Sequence, residues 1–264
     1  MSGDSGGFIW YELVTPDPDG AKAFYDAVVS GWSIEAAPAG PMDYRMINRA
    51  DGGHAGGVLR LSEEMAQGGM TPRWLGYVHV PDVDAALAAM TVDGATTLMD
   101  HDGEPGRIAL IADPQGVAIY VMTPRPPAGN PDAKSDVYDR MKPGHVGWNE
   151  LYTTDLDAAK AFYGKHFGWT FERSMPMGEE FGDYVFIEHG GQDIGAMMKK
   201  PPQAPAAAWG YYITVADIDA AQRAITAGGG HVFHGPQEVP GGQWIVNAVD
   251  PQGAAFACVG ARAA

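Results

Sequence analysis

Glu12 and Glu150 stand in matching surroundings, Trp10-Tyr11-Glu12-Leu13 and Trp148-Asn149-Glu150-Leu151, at an offset of 138 residues. A carboxylate among aromatic and apolar neighbours costs free energy unless it is paired or hydrogen-bonded. Two roles suit such a group. It can be a polar anchor or general base in an apolar pocket, or it can tie two strands together by accepting from a nearby Tyr, Trp or backbone amide. His79 could join Glu12, with His54 as a third member, in an acid–base or non-standard metal cluster. The alternative for His79 is an ordinary hydrogen-bonded strand histidine. Aromatic residues also recur at corresponding places: Trp10 with Trp148, Tyr77 with Tyr212, and Tyr44 with Tyr184; Tyr120 and Tyr152 join the set. These rings could stack a planar ligand or serve as plain core. No Gly-rich phosphate loop, nucleophile elbow or zinc-ligand spacing is present.

The elements that must position these groups are visible as a repeat. After Glu12 come Thr15, Asp17, Asp19, Lys22, Phe24 and Tyr25; after Glu150 come Thr153, Asp155, Asp157, Lys160, Phe162 and Tyr163. Each half divides again, because Asp82-Val83-Asp84 and Asp217-Ile218-Asp219 open similar segments. Such self-similarity dictates architecture. The first Asp of each pair suits a helix N-cap and the second favours the first turn. Apolar residues then follow at helical spacing: Ala21, Phe24, Tyr25, Val28; Val83, Ala86, Leu87, Met90; Ala159, Phe162, Tyr163; Ile218, Ala221, Ile225. Gly31, Gly94, Gly168 and Gly228 suit helix stops. Short strand-like runs come next, and Asp113-Pro114-Gln115-Gly116 and Asp250-Pro251-Gln252-Gly253 read as tight turns into a last strand. The pattern predicts an α+β chain of four βαβββ modules, at about 8–62, 73–125, 144–200 and 207–260. Four prolines between Pro124 and Asp132 predict an extended linker within 126–143, separating domains 1–125 and 144–264. Lys199 to Pro205, and Ser62 to Thr71, predict the breaks inside each half.

A formal net charge of −16 repels a phosphate backbone, and no basic stripe offsets it. Neither nucleic acid nor an anionic membrane is an expected partner; a small molecule is, for a monomer or homodimer. Cys258 is the one cysteine and lies in an apolar run, where a small core hydrophobe is expected. The segment Met1 to Gly7 has no basic residue and leads into no long apolar run, so a cytoplasmic location is the default expectation. His101, His189, His231 and His234 are expected at the surface.

The ordered set of features resembles the vicinal oxygen chelate superfamily, which includes glyoxalase I, bleomycin-resistance proteins and extradiol dioxygenases. It comprises Asp-x-Asp helix starts, Phe-Tyr on the odd helices, Gly-Trp after them and Asp-Pro-x-Gly near each domain end. Gly147 to Asp155 resembles a two-domain, glyoxalase-like branch. The resemblance implies paired modules whose mixed sheets curl into cups, with the ligand in the hollow. Its metal enzymes hold a divalent ion through first-strand and last-strand side chains. Here those positions carry Trp10, Leu75, Trp148, Gly210, Tyr120 and Ala257, and a site needs about three N, O or S ligands. The implied metal site is therefore missing from both halves, and no cofactor is expected. Strand alternation then points Trp10, Glu12, Tyr77, His79, Ala118, Tyr120 and Met122 into the first cup. Trp148, Glu150, Tyr152, Tyr212, Thr214, Ala255, Ala257 and Val259 point into the second. The expected function is binding of a small aromatic or carbonyl compound, by sequestration or metal-free chemistry. The alternatives are a metal-dependent lyase or dioxygenase with a rearranged site, for which a divalent metal would be the cofactor, and a structural or partner-binding module.

Overall fold

The computed structural model describes residues 5–262 apart from 41, 127, 131, 132, 180 and 203. The first residues Met1–Asp4, Pro127, Pro131 and Asp132 of the expected linker, and Gln203 of the second-half break, lie outside the described residues. Four modules follow one another. The first is β1 (Phe8–Thr15), α1 (Pro18–Val28), β2 (Trp32–Ile34), β3 (Tyr44–Arg49) and β4 (His54–Arg60), followed by the short α2 (Glu63–Gln67). The second is β5 (Arg73–His79), α3 (Val83–Val92), β6 (Thr96–Gly103), β7 (Gly106–Ala112) and β8 (Ala118–Pro124). The third is β9 (Val146–Thr153), α4 (Leu156–Phe167), β10 (Ser174–Pro176), β11 (Asp183–His189) and β12 (Gln192–Lys199). The fourth is β13 (Ala208–Val215), α5 (Ile218–Ala227), β14 (His231–Val239), β15 (Gln243–Val249) and β16 (Ala255–Gly260).

The strands form two eight-stranded mixed sheets, ordered β2-β3-β4-β1-β5-β8-β7-β6 and β10-β11-β12-β9-β13-β16-β15-β14. The fold class is α+β, with one eight-stranded mixed sheet in each half. Chain packing groups the modules differently. One compact unit gathers the chain up to Trp10 with Gly76–Ser135 and Trp148–Trp209; the other gathers Tyr11–Leu75, Asp136–Gly147 and Gly210–Ala264. Among the described residues no helix is long and apolar enough to cross a membrane.

The helix starts follow from their sequence. Asp17, Asp82, Asp155 and Asp217 are the N-caps, and their side chains accept from Gly20, Ala85, Ala158 and Ala220 backbone N–H groups, at 3.0 to 3.2 Å. The stops are less uniform than the glycines predict. Gly168 is a left-handed C-cap at φ 69°, whereas α1 and α3 end on Val29 and Asp93, with Gly31 and Gly94 beyond the cap. Phe24, Tyr25, Phe162 and Tyr163 are buried as the spacing predicts, but Ala86 and Leu87 are only half-buried. The expected break at Ser62 to Thr71 contains α2, capped by the Ser62 hydroxyl. His101, His231 and His234 are exposed, and His189 is half-buried. Cys258 is fully buried, and burial pushes its thiol up to about 12, so it is a core residue and no nucleophile.

The Asp-Pro-Gln-Gly turns do more than reverse the chain. Asp113 Oδ1 accepts from the Gln115 and Val117 amides at 2.8 Å, and Oδ2 accepts from the Tyr163 hydroxyl at 2.9 Å. Tyr163 in turn accepts from Trp209 Nε1 at 3.1 Å. The other unit repeats the clasp: Asp250 accepts from Gln252 and Ala254 amides and from Tyr25, which accepts from Trp74 Nε1. Gly116 and Gly253, at φ 83° and 99°, supply the left-handed fourth position of each turn.

The two turn glutamines differ in their partners. Gln115 Oε1 accepts from the Thr153 and Thr154 hydroxyls and from the Thr154 and Asp155 amides, at 2.6 to 3.0 Å. Gln252 Oε1 is buried without a partner among the described residues. The compact unit that holds Gln252 has Pro16 where the other unit has Thr154, so one N–H and one hydroxyl are missing. Pro16→Thr should restore both donors. Two bonds to a buried acceptor are worth about 1–3 kcal/mol, against about 0.4–1 kcal/mol for releasing a proline in the unfolded chain. Net stabilisation of roughly 1 kcal/mol in a urea melt is expected; a loss of stability would contradict the assignment.

Candidate functional site

Strand register decides which groups share a face. In the third module Glu150 of β9 pairs with Ala196 of β12, which pairs with Phe186 of β11; Tyr184 of β11 pairs with Met175 of β10. Alternation puts Trp148 and Tyr152 on the side of Glu150. Trp148, Tyr152, Tyr184 and Phe186 are half-buried, so this aromatic face is partly open, while Glu150 is only 5% exposed. A hydrogen-bond relay holds the acid: Trp148 Nε1 donates to the Tyr184 hydroxyl at 2.7 Å, and Tyr184 donates to Glu150 Oε2 at 2.6 Å. Burial, then the Glu150 charge, pushes the Tyr184 phenol well above the ordinary tyrosine range. Tyr184 therefore stays a hydroxyl donor. At the edge of the face Arg173 lies 5.0 Å from the Phe186 ring centre, held by Glu188 at 2.7 Å and by Asp193.

The first module repeats the layout with one change. Glu12 of β1 is 3% exposed and pairs with Gly57 of β4. A Cβ at Gly57 would come within 2.2 Å of the Tyr44 hydroxyl oxygen. The Tyr44 hydroxyl end therefore lies against Gly57, on the strand beside Glu12. Ala196 occupies the matching place next to Glu150. Trp10 is half-buried.

The even modules differ from each other. In the second, Tyr77 of β5 pairs with Tyr120 of β8, and their rings stack at 4.1 Å and 15°. His79 pairs with Met122; its Nδ1 is buried with no hydrogen-bond partner among the described residues. In the fourth, Tyr212 of β13 pairs with Ala257 of β16, and Asn247 Nδ2 of β15 donates to the Tyr212 hydroxyl at 3.3 Å. Asn247 is a polar residue in the row of Tyr212 and Ala257 that the sequence reading did not single out. Thr214 pairs with Val259.

Known proteins carry the same pattern. Residues 142–257 match the model of the glyoxalase/bleomycin resistance protein/dioxygenase superfamily, and residues 10–122 match that of a glyoxalase-like domain. A protein of Mycobacterium tuberculosis named "Putative glyoxylase CFP32" is 30% identical over 251 residues, spanning 94% of this chain and 92% of the relative. The chain belongs to the glyoxalase/bleomycin resistance protein/dioxygenase superfamily. Within that superfamily, the anthracycline biosynthesis protein DauV of Streptomyces sp. strain C5 is 28% identical, covering 97% of this chain and 93% of DauV. The Mn(II)-bound glyoxalase of Novosphingobium aromaticivorans superposes with a TM-score of 0.61 at 17% identity, over 97% of this chain and 82% of the other. Homoprotocatechuate 2,3-dioxygenase of Brevibacterium fuscum gives 0.65 at 13%, over 96% and 79%.

Of the six positions at which the superfamily resemblance implies metal ligands, Tyr120 alone carries a donor atom, and its ring is stacked on Tyr77. Leu75 and Ala257 are buried apolar residues, Gly210 has no side chain, and the Trp10 and Trp148 indoles offer no ligand atom. Among the described residues one group of potential ligands converges: Asp51, Asp136 and His145. The buried Arg49 already answers it, pairing with Asp51 at 3.1 Å and with Asp136. Glu12, His79 and His54 form no such group among the described residues, and His54 is exposed at the start of β4.

Proposed function

We propose that this superfamily member binds a small planar aromatic or carbonyl compound on its aromatic strand faces, with Glu150, and Glu12 in the other half, as the polar anchor and without a protein-held metal. The Trp148–Tyr184–Glu150 relay carries this reading. It fixes an acid inside a half-open ring of Trp148, Tyr152, Tyr184 and Phe186. A carboxylate can accept about four hydrogen bonds, and the Tyr184 hydroxyl fills one of those places. Ligand hydroxyl or enol groups suit such an acceptor, and flat rings suit its aromatic surroundings. The name of DauV points the same way, since anthracyclines are fused-ring aromatic carbonyl compounds. His79 and the Tyr77–Tyr120 stack are further ligand-facing groups in this reading, as is Tyr44 beside Glu12.

The reading is tested by equilibrium titration of full-length protein with hydroxylated quinones such as alizarin, together with elemental analysis of the purified protein. Binding in the micromolar range, unchanged by a chelator, is expected. A stoichiometric divalent metal lost on Glu12→Ala or Glu150→Ala, or no binder tighter than millimolar, would overturn it.

A further inference from the structure

Helix α3 departs from its internal counterpart α5 on its exposed side. At helical spacing Ala85, Ala88, Ala89 and Val92 share one face of α3, and all four are exposed. Val92 is 84% exposed. Counted from the N-caps Asp82 and Asp217, the matching face of α5 is Ala220, Arg223, Ala224 and Ala227. Arg223 stands in the middle of that face, with its side chain 72% exposed. The fold therefore accepts a charged outer face on this helix, and α3 carries an apolar one instead. β6, which packs along α3, also exposes Leu98 and Met99. Beside the α3 face, a groove of about 280 Å³ runs between α3 and the end of α4, lined among others by Pro81, Ala85, Ala89, Lys165 and His166. All of these α3, β6 and α4 residues belong to one compact unit.

We propose that this face is a docking surface for a second copy of the chain, pairing α3 with the partner's α3 about a two-fold axis between Ala88 and Ala89. A two-fold contact must be self-complementary, and this sequence meets the condition when the two helices run antiparallel. Ala88 then meets the partner's Ala89, so small side chains lie at the crossing, where the backbones approach most closely. Ala85 meets the partner's Val92, so the most protruding side chain of each face meets the groove wall of the other. Charge completes the match. Asp82, exposed at the start of one α3, comes to the end of the partner's α3. At that end Asp93 caps the helix and holds Lys165 at 2.5 Å. The Lys165 side chain is 61% exposed, and Asp93 takes one of the three N–H donors of its ammonium. Antiparallel pairing thus brings an Asp82 and a Lys165 together at each end of the contact. Parallel pairing would set Asp82 against Asp82 and Lys165 against Lys165, which like-charge repulsion disfavours. The α5 face cannot pair in the same way, because Arg223 of each copy would meet at the crossing.

Sedimentation equilibrium of the full chain tests this, at about 0.15 M salt to screen the net charge of −16. A reversible dimer with a dissociation constant of about 1–100 µM is expected, as for a small interface. Ala88→Arg imports the α5 residue at the crossing. It should weaken the dimer more than about tenfold and leave the melting curve unchanged. Lys165→Glu should weaken it about threefold or more, by setting an acid against Asp82. Arg223→Ala, on α5, should keep the constant within about twofold of wild type. Should Ala88→Arg melt far below wild type, Val92→Lys takes its place, since Val92 is the most exposed residue of the face. A chain that stays monomeric to about 1 mM would overturn the surface. So would a dimer that keeps its affinity in Lys165→Glu or in whichever of Ala88→Arg and Val92→Lys is folded. Either result leaves the ligand-binding reading standing, because the surface does not depend on it.

Discussion

Replacing Asp250 by alanine is expected to destabilise the protein by about 3–5 kcal/mol, and Asp113→Ala by a similar amount, because each strands two backbone amides and a tyrosine hydroxyl. The donors are Gln252, Ala254 and Tyr25 in one unit and Gln115, Val117 and Tyr163 in the other. Asparagine keeps the shape and one acceptor oxygen for the two amides, so Asp250→Asn should cost only about 1–2 kcal/mol. Urea unfolding of the four variants checks this; alanine variants within about 1 kcal/mol of wild type would show the clasps to be incidental. The same residues set a pH signature. Burial raises both carboxyls above the ordinary aspartate value, against the lowering effect of their backbone and tyrosine donors. A group raised in the folded state contributes stability that is fully present below its unfolded pKa and is lost as pH rises through the folded pKa. The stability of wild type relative to Asp250→Asn should therefore improve as the solution is acidified from neutrality toward the carboxylate range. A gap that widens against wild type on acidification would contradict the burial argument.

Breaking the relay should have the largest effect on ligand binding. Tyr184→Phe removes the hydroxyl that accepts from Trp148 and donates to Glu150. It should lower stability by about 1–3 kcal/mol and ligand affinity roughly tenfold, because the acid loses its fixed orientation. Glu150→Gln keeps the volume and an acceptor for Tyr184, so stability should change by less than about 1 kcal/mol while affinity falls by about tenfold or more. It also has a readout independent of ligand. The negative charge of Glu150 is one cause of the high Tyr184 pKa, so Glu150→Gln should let one additional tyrosine ionise at lower pH, seen in the phenolate absorbance. An unchanged tyrosine titration would separate the two groups and remove the basis of the relay.

Much of this was legible in the chain because it was written twice. The N-cap aspartates, the buried Phe-Tyr pairs and the last-strand turns are local patterns, and each formed where its spacing placed it. The tertiary role of Asp113 and Asp250 was not legible, since Tyr25 and Asp250 are 225 residues apart. The same turn chemistry would be needed with or without that bond. Tyr184 and Glu150 matched their counterparts in the other half, yet only the strand pairing brings Phe186 and Ala196 between them into register and sets the order of donation. The half-exposed Leu87 shows the opposite case. Its helix is apolar nearly all round, so periodicity could not say which side would be covered. Asn247 escaped notice because it lies on an inner strand of no motif; that its amide oxygen is buried without a partner among the described residues is a fact of packing alone.

The proposed ligand anchor is an acid held by the Tyr184 hydroxyl, which itself accepts from Trp148, with no metal. The most direct measurement is the affinity of wild type and Glu150→Gln for alizarin in the presence of a chelator. Micromolar binding by wild type that survives chelation and weakens by about tenfold or more in Glu150→Gln is the predicted result. Binding that disappears with chelation and returns on adding Mn, Fe, Ni or Zn, with Glu150→Gln indistinguishable from wild type, would contradict it.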